Sequence, residues 1–228
     1  MLGTLYIVGT PIGNLEDMTF RSVRILKEVD LVLAEDTRKT SILLKHYEID
    51  VPTLSYHQRS HESKKEEVLR LLVEGKNLAL VTDAGTPGVG DPGNELIDYL
   101  LAREPEIKTI TIPGPSSLTA ALSLCGFNVA RFTFVGFLPK KKRKKLFEEL
   151  KEAGLPFVFF DSPYRILKTL SELQEYFGTT RAFVGQELTK MYERTVRGCL
   201  SEISQALGEE KTKAGRIRGE VVVIVEND

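Results

Sequence analysis

The most constraining feature of this chain is an order that recurs through its first half: a short β-branched or aliphatic run, a loop, then residues at helical spacing. The runs are Leu5 to Val8, Val29 to Ala34, Leu78 to Thr82 and Ile107 to Ile112. Strands that alternate with helical patterns predict parallel strands joined by crossover helices. Thr19 is placed to cap a helix carrying Phe20, Val23 and Leu26. Ser63 with Glu66 reads as a capping box opening a helix that buries Val68, Leu69 and Leu72 and ends at Gly75. Three of the runs lead into loops rich in glycine and proline: Gly9 to Asn14, Asp83 to Gly93, and Pro113 to Ser117. In an open parallel sheet, loops at the carboxyl ends of the strands line one common crevice, so these segments outline a ligand site.

Beyond Gly126 the pattern changes. Phe132, Phe134 and Phe137 alternate as in a half-buried strand; a basic run, Lys140 to Lys145, leads into a helix through Leu146, Phe147 and Leu150, and a strand follows at Phe157 to Phe160. Ile166, Leu170, Leu173 and Phe177 mark another amphipathic helix. Strand-like runs at 182–188 and 220–226, with a weaker one at 192–197, complete a mixed sheet. The expected organisation is therefore α/β in two domains, a parallel-sheet domain over 1–126 and a mixed-sheet domain over 131–228.

Charge and cysteine usage exclude several classes. Lys plus Arg number 31 against 32 Asp plus Glu, a formal net charge of -1, so any nucleic-acid contact must come from a local patch rather than bulk charge. Cys125 and Cys199 are far apart and form neither a disulfide framework nor a metal pair, which fits a reducing cytoplasm. The strand-like start lacks the form of a signal peptide, and no apolar run reaches the roughly 18 residues of a membrane helix. A soluble cytoplasmic protein is expected.

The loops contain no GxGxxG and no GxxxxGK[ST], which argues against a phosphate-cradling nucleotide site. They offer instead backbone amides and carbonyls, the Asp83 carboxylate, hydroxyls at Thr86, Ser116 and Ser117, and glycines that admit close approach of a planar ligand. Those groups suit an adenosine-containing ligand without a triphosphate; ordinary turn formation is the alternative. Glu35 to Thr40 follows the second strand and faces the same crevice, although helix-start chemistry explains part of that cluster. His57 and His61 have the spacing of metal ligands on a helix, but Gln58 stands where a catalytic glutamate would be and both precede the expected helix start, so no metal is expected. No G-x-S-x-G occurs, so there is no nucleophile elbow. Lys140, Lys141, Lys142, Arg143, Lys144 and Lys145 read either as a solvated helix face or as contacts to a phosphate backbone.

Several phrases together resemble one family: Leu5-Tyr6-Ile7-Val8-Gly9-Thr10-Pro11-Ile12-Gly13-Asn14-Leu15, Ala34-Glu35-Asp36-Thr37-Arg38, Ser55-Tyr56-His57, Asp83-Ala84-Gly85-Thr86-Pro87, Asp91-Pro92-Gly93, Pro113-Gly114-Pro115-Ser116, Gly136-Phe137-Leu138-Pro139-Lys140 and Glu187-Leu188-Thr189-Lys190. They resemble, in order and over nearly the whole chain, the bacterial ribosomal RNA small-subunit cytidine 2'-O-methyltransferases of the tetrapyrrole methylase superfamily. The resemblance implies a two-domain α/β fold, a homodimer, S-adenosylmethionine in a cleft between the domains, and methylation of a cytidine ribose 2'-hydroxyl in small-subunit ribosomal RNA. By motif it implies cofactor contacts from Pro11, from Asp83, Ala84, Gly85, Thr86, Pro87 and Val89, from Ser116 and Ser117, and from Phe160, with residues near Gln186 and Glu187.

A ribose hydroxyl is a poor nucleophile at neutral pH, so transfer to it calls for a base or for a cation beside the developing alkoxide. Asp36, Glu187 and Lys190 are the candidates for that role, and Arg38 for a phosphate or substrate clamp. The chain departs from the family where members usually read Tyr-Glu-Ser-Pro-His-Arg and it has Phe160-Asp161-Ser162-Pro163-Tyr164-Arg165. It departs again at Gln186, usually Arg, and in stopping soon after the last strand. Two other readings remain open: a tetrapyrrole-precursor methylase of the same fold, and a ribosome-assembly factor without catalysis.

Overall fold

Strands that are apolar at every position must be covered on both faces, and Leu78–Val81, buried throughout, folds accordingly at the centre of a sheet. Thr4–Val8 (β1), Leu31–Ala34 (β2), Thr53–Ser55 (β3), Leu78–Val81 (β4) and Lys108–Ile112 (β5) form a five-stranded sheet in the order β3-β2-β4-β1-β5. Every pairing in it is parallel. Leu78 and Leu80 pack with Val68, Leu72, Leu96 and Leu100 on one face, while Ala79 and Val81 pack with Ile25, Leu26, Leu43 and Leu44 on the other. The covering helices are Phe20–Glu28 (α1), Thr37–His46 (α2), Glu62–Val73 (α3) and Asn94–Arg103 (α4).

The computed structural model describes residues 1–57, 61–91, 93–217 and 219–227, so Gln58 and Pro92 of the sequence argument lie outside the described residues. Contacts divide the chain into Met1–Ser116 and Ser117–Asp228, ahead of the boundary expected near 126. The reason is the helix Ser117–Cys125 (α5), which packs on the second sheet. That sheet comprises Thr133–Phe137 (β6), Phe157–Asp161 (β7), Arg181–Gln186 (β8), Arg194–Cys199 (β9) and Val221–Val225 (β10), in the order β6-β7-β10-β8-β9. It is mixed: β6 runs parallel to β7, and the other pairs are antiparallel. Lys144–Ala153 (α6), Ile166–Phe177 (α7) and Leu200–Ala214 (α8) bury Phe147, Leu170, Leu173, Ile203 and Leu207 against one face of it. Among the described residues no helix is long and apolar enough to cross a membrane.

Local details refine the sequence reading. The Thr19 side chain accepts the Ser22 amide, as a cap should. Helix α3 instead begins at Glu62 with His61 in the cap position and no side-chain cap bond, so Ser63 lies in the first turn and its capping box does not form. Phe134 and Phe137 cannot alternate strictly at their spacing; a register shift between Phe134 and Gly136, with Gly136 at φ 70°, accommodates the odd residue.

Candidate functional site

The order β4-β1-β5 sets the three glycine- and proline-rich loops side by side, because each follows one of three adjacent strands. They are bonded to one another. Thr10 and Gly85 exchange both backbone hydrogen bonds, at 2.8 and 3.0 Å, and the Thr10 hydroxyl donates to the Thr82 carbonyl at 3.2 Å. The Gly9 amide donates to Ile112, and the Thr86 hydroxyl donates to the Pro115 carbonyl at 3.2 Å. A Cβ on Gly9 would stand 2.8 Å from the Gly114 backbone, so the first and third loops touch main chain to main chain.

This corrects the role expected of Gly85. Its φ of 81° demands glycine, and its amide and carbonyl are already taken by Thr10, whereas a Cβ there would meet Ile12 at an ordinary 3.5 Å. Close backbone approach occurs at Gly9 and Gly114 instead. Within the same loops Pro11 and Pro87 are buried, Thr86 and Val89 half-buried, and Ala84 exposed.

The segment after β2 joins the group through Asp83. The Asp83 carboxylate accepts the Asp36 amide at 3.1 Å and the Lys39 ammonium at 2.6 Å, while the Asp83 amide donates to Glu35 at 3.2 Å. Asp36 caps α2 by accepting the Arg38 amide, and its two oxygens also take the Arg38 guanidinium at 3.0 and 2.7 Å. These bonds from Arg38 hold the Asp36 carboxyl at about 2, and the Asp83 carboxylate raises Lys39. An acid so strong is a poor proton acceptor, so the geometry makes Asp36 a helix cap and a holder of Arg38 rather than a base. Glu35, Asp36 and Asp83 set three carboxylates against the two cations Arg38 and Lys39. That surplus of negative charge suits a cationic ligand and does not suit a phosphate. Ser116 closes the first unit, and Ser117 opens α5.

In the second unit the Phe160 ring is half-buried, edge-on to Phe134 and Phe137 with centroids 5.3 Å away in each case. Just beyond β8 lies a strained turn. Glu187 and Thr189 have φ of 47° and 67°, and Lys190 donates to Glu187 through its ammonium at 2.9 Å and through its amide at 2.9 Å. Left-handed backbone at a β-branched residue is rare and is concentrated at functional sites. The Thr189 hydroxyl and the Gln186 carbonyl oxygen are buried without hydrogen-bond partners, next to that strain. Gly219 lies under the Glu187 carboxylate, where no Cβ would fit.

The basic run does not act as one patch. Lys140, Lys141, Lys142, Lys144 and Lys145 are exposed, but Arg143 is 9% exposed and its guanidinium is engaged inside the second unit. It donates to the Pro139 carbonyl at 2.6 Å, to the Thr169 hydroxyl at 2.8 Å and to Glu172 at 3.0 Å. Arg143 is therefore not an RNA contact: its side chain is 9% exposed, and three of its five N–H donors are spent on Pro139, Thr169 and Glu172. The signal was available: Arg143, Phe147 and Leu150 are spaced as one helix face, and that face is the buried one. Lys144 and Lys145 stand 3.9 and 3.7 Å from Glu148 and Glu149, the spacing of ordinary helix-surface pairs. Sequence reasoning placed Thr10 and Lys39 in the candidate segments without their partners and missed Thr169, because long-range contacts are not revealed by local spacing.

The tetrapyrrole (corrin/porphyrin) methylase family model matches residues 4–204. A Thermotoga maritima protein named ribosomal RNA small subunit methyltransferase I is 43% identical over 98% of this chain and 98% of its own. The protein of that name from Bacillus subtilis is 41% identical over 99% of this chain and 76% of its own. Among solved structures, cobalt precorrin-4 methyltransferase, a cobalamin biosynthetic enzyme, superposes with a TM-score of 0.69 at 18% identity, covering 97% of this chain and 94% of that one. Uroporphyrin-III C-methyl transferase from Thermus thermophilus, solved with S-adenosyl homocysteine, superposes with a TM-score of 0.65 at 20% identity, covering 99% of this chain and 98% of that one. Likeness at that level of identity speaks for the fold, and the curated relatives carry the finer grouping. The chain belongs to the tetrapyrrole (corrin/porphyrin) methylases, and within them to the ribosomal RNA small subunit methyltransferase I group.

Proposed function

We propose that this protein transfers a methyl group from S-adenosylmethionine to the 2'-hydroxyl of a cytidine ribose in small-subunit ribosomal RNA, as a cytoplasmic homodimer. The observation that carries the reading is the 43% identity over 98% of both chains with a ribosomal RNA small subunit methyltransferase I. The loop chemistry is consistent with the cofactor. Its sulfonium and ammonium groups are cationic, and Glu35, Asp36 and Asp83 outnumber Arg38 and Lys39. Pro11, Ala84, Gly85, Thr86, Pro87, Val89, Ser116, Ser117 and Phe160 are the further residues assigned to hold it.

When bound, the cofactor supplies an electrophilic methyl group whose transfer discharges the sulfonium. The residues of the chain must then orient the acceptor and manage one proton. Glu187 is assigned to accept the hydroxyl proton, and Lys190, 2.9 Å from it, to stabilise the developing alkoxide. The strained backbone at Glu187 and Thr189 suits this assignment, since it holds the pair in a geometry the free chain would not adopt. The exposed lysines Lys140, Lys141, Lys142, Lys144 and Lys145 are assigned to phosphates, and Arg38, whose guanidinium is paired with Asp36 in an acidic cluster, to clamping the substrate through contacts other than phosphate.

Labelled S-adenosylmethionine incubated with undermethylated small subunits, free ribosomal RNA and porphyrin precursors in parallel tests the proposal. Label is expected on a ribose of the RNA or subunit and absent from the porphyrinoids. A substrate carrying 2'-deoxycytidine at the modified position should bind and accept no methyl. Label on a base or on a porphyrinoid would overturn the ribose assignment, and cofactor binding without turnover on any RNA would favour an assembly factor.

A further inference from the structure

We propose that Thr169 and the charges around it form a positioning device that presets the lysine turn 140–142 for RNA, an inference that rests on the RNA reading above. The turn is a tight excursion between two buried anchors, Leu138 and Arg143. Its last residue, Lys142, has φ of 60°, which a non-glycine residue adopts only when its surroundings hold it there. The holding groups are visible. Arg143 reaches back to the Pro139 carbonyl at 2.6 Å and thereby closes the turn from behind. The same guanidinium donates to the Thr169 hydroxyl at 2.8 Å, and that hydroxyl donates onward to Asp161 at 2.5 Å.

Asp161 is fully buried, accepts the Ser162 amide at 2.8 Å and pairs with Arg165 at 2.5 Å. Arg165 in turn donates to the Leu138 carbonyl at 3.4 Å, at the other end of the turn. Glu172, 3.0 Å from Arg143 and 3.8 Å from Lys168, adds a second carboxylate, so Asp161 and Glu172 face Arg143, Arg165 and the exposed Lys168. Thr169 is itself fully buried and is the neutral side chain that joins Arg143 to Asp161 in this relay, both accepting and donating. A buried network that is satisfied throughout is rigid. The consequence is that Lys140, Lys141 and Lys142, exposed and without a role in the network, are presented from a fixed backbone. Binding a polyanion then avoids the cost of ordering the turn, which a loose turn would have to meet at the moment of contact.

Thr169→Val removes the hydroxyl at nearly constant shape, Thr169→Ser keeps it, and the triple variant Lys140→Gln, Lys141→Gln, Lys142→Gln removes the cations. Affinity for protein-free small-subunit ribosomal RNA is measured across a salt series, beside calorimetric affinity for S-adenosylmethionine. The triple variant should flatten the slope of log affinity against log salt by roughly 2, since each lost single-strand phosphate contact removes roughly 0.7. Thr169→Val should weaken RNA binding about five- to tenfold with the slope and cofactor affinity unchanged, raise KM without lowering kcat, and be rescued by Thr169→Ser. If Thr169→Val does not fold, Arg143→Lys serves instead, keeping the charge while losing the simultaneous reach to Pro139 and Thr169, with the same expected pattern. RNA affinity within twofold of wild type, in a background where the triple variant loses its slope, overturns the positioning role. An unchanged slope in the triple variant overturns the RNA reading of the turn itself.

Discussion

The glycine loops of the first unit and the lysine turn of the second are both held from behind, but by different kinds of bond. Thr10, Gly85, Gly9 and Ile112 lock the former through backbone amides and carbonyls, with Gly9 and Gly114 in direct main-chain contact. Arg143, Thr169 and Asp161 lock the latter through side chains and buried charge. The difference teaches where each region is vulnerable. Backbone-held loops tolerate changes of side chain and fail when a Cβ is added, whereas a charge-held turn is indifferent to added bulk at its tip and fails when one link of the relay is removed.

The largest expected effect follows from the first half of that contrast. Gly9→Ala would place a methyl 2.8 Å from the Gly114 backbone, and a backbone neighbour cannot swing aside as a long side chain can. Overpacking of this kind costs about 1–3 kcal/mol, and the shift it forces runs through both loops. Calorimetry should find S-adenosylmethionine affinity reduced about five- to a hundredfold, while RNA affinity through the second unit stays within a fewfold of wild type. Equal loss of both ligands would erase the distinction between the regions.

A smaller effect tests the charges beside the backbone-held loops. The Asp36 carboxyl is lowered to about 2 by hydrogen bonds from Arg38. A folded-state value below the unfolded one means a contribution that is present above pH ~4 and lost as pH falls through 2. Asp36→Asn should therefore flatten the acid limb of the stability profile between pH ~4 and ~2, read by thermal melts in that range. Its activity profile near neutrality should keep the wild-type shape, because Asp36 is ionised throughout; disappearance of a limb between pH 5 and 8 would restore Asp36 as the base.

The smallest effect concerns the orphaned oxygen next to the strained turn. Gln186 is buried, and its amide nitrogen is 3.3 Å from Glu210, a carboxylate that Arg194 already pairs at 2.6 Å. Its carbonyl oxygen has no partner. Gln186→Met removes the unpaired acceptor at similar volume, and the gain should be about 1 kcal/mol, or a rise of about 2–4 °C in the midpoint of thermal unfolding. A fall of several degrees would mean that the amide bond to Glu210 outweighs the orphaned oxygen.

Much of the fold was legible because it depends on local pattern. Periodicity separates strands from helices, and runs such as Leu78 to Val81, apolar at every position, demand cover on both faces and hence a parallel sheet. The three loops were legible for the same reason, since each follows a recognisable strand and so lies at the carboxyl edge of the sheet; that they are immediate neighbours was decided by the order β4-β1-β5. Some elements were not legible. Strand β3 is three residues long with Thr53 and Ser55 exposed, too short and polar to show a period, and α5 reads as the close of the first domain although it packs on the second sheet.

What the sequence determined by itself was the class of fold, the position of the candidate loops and the family, since each rests on residues close together in the chain. What only the tertiary structure decided was the job of individual charges. Arg143 reads as one of a basic run and is buried on Thr169; Asp36 reads as a base and is held ionised by Arg38; Gly85 reads as an opening for a ligand and is bonded to Thr10. The physical reason is common to all of them. A charged or polar group takes its role from the partner that satisfies it, and those partners lie on other elements, brought within about 3 Å only by folding.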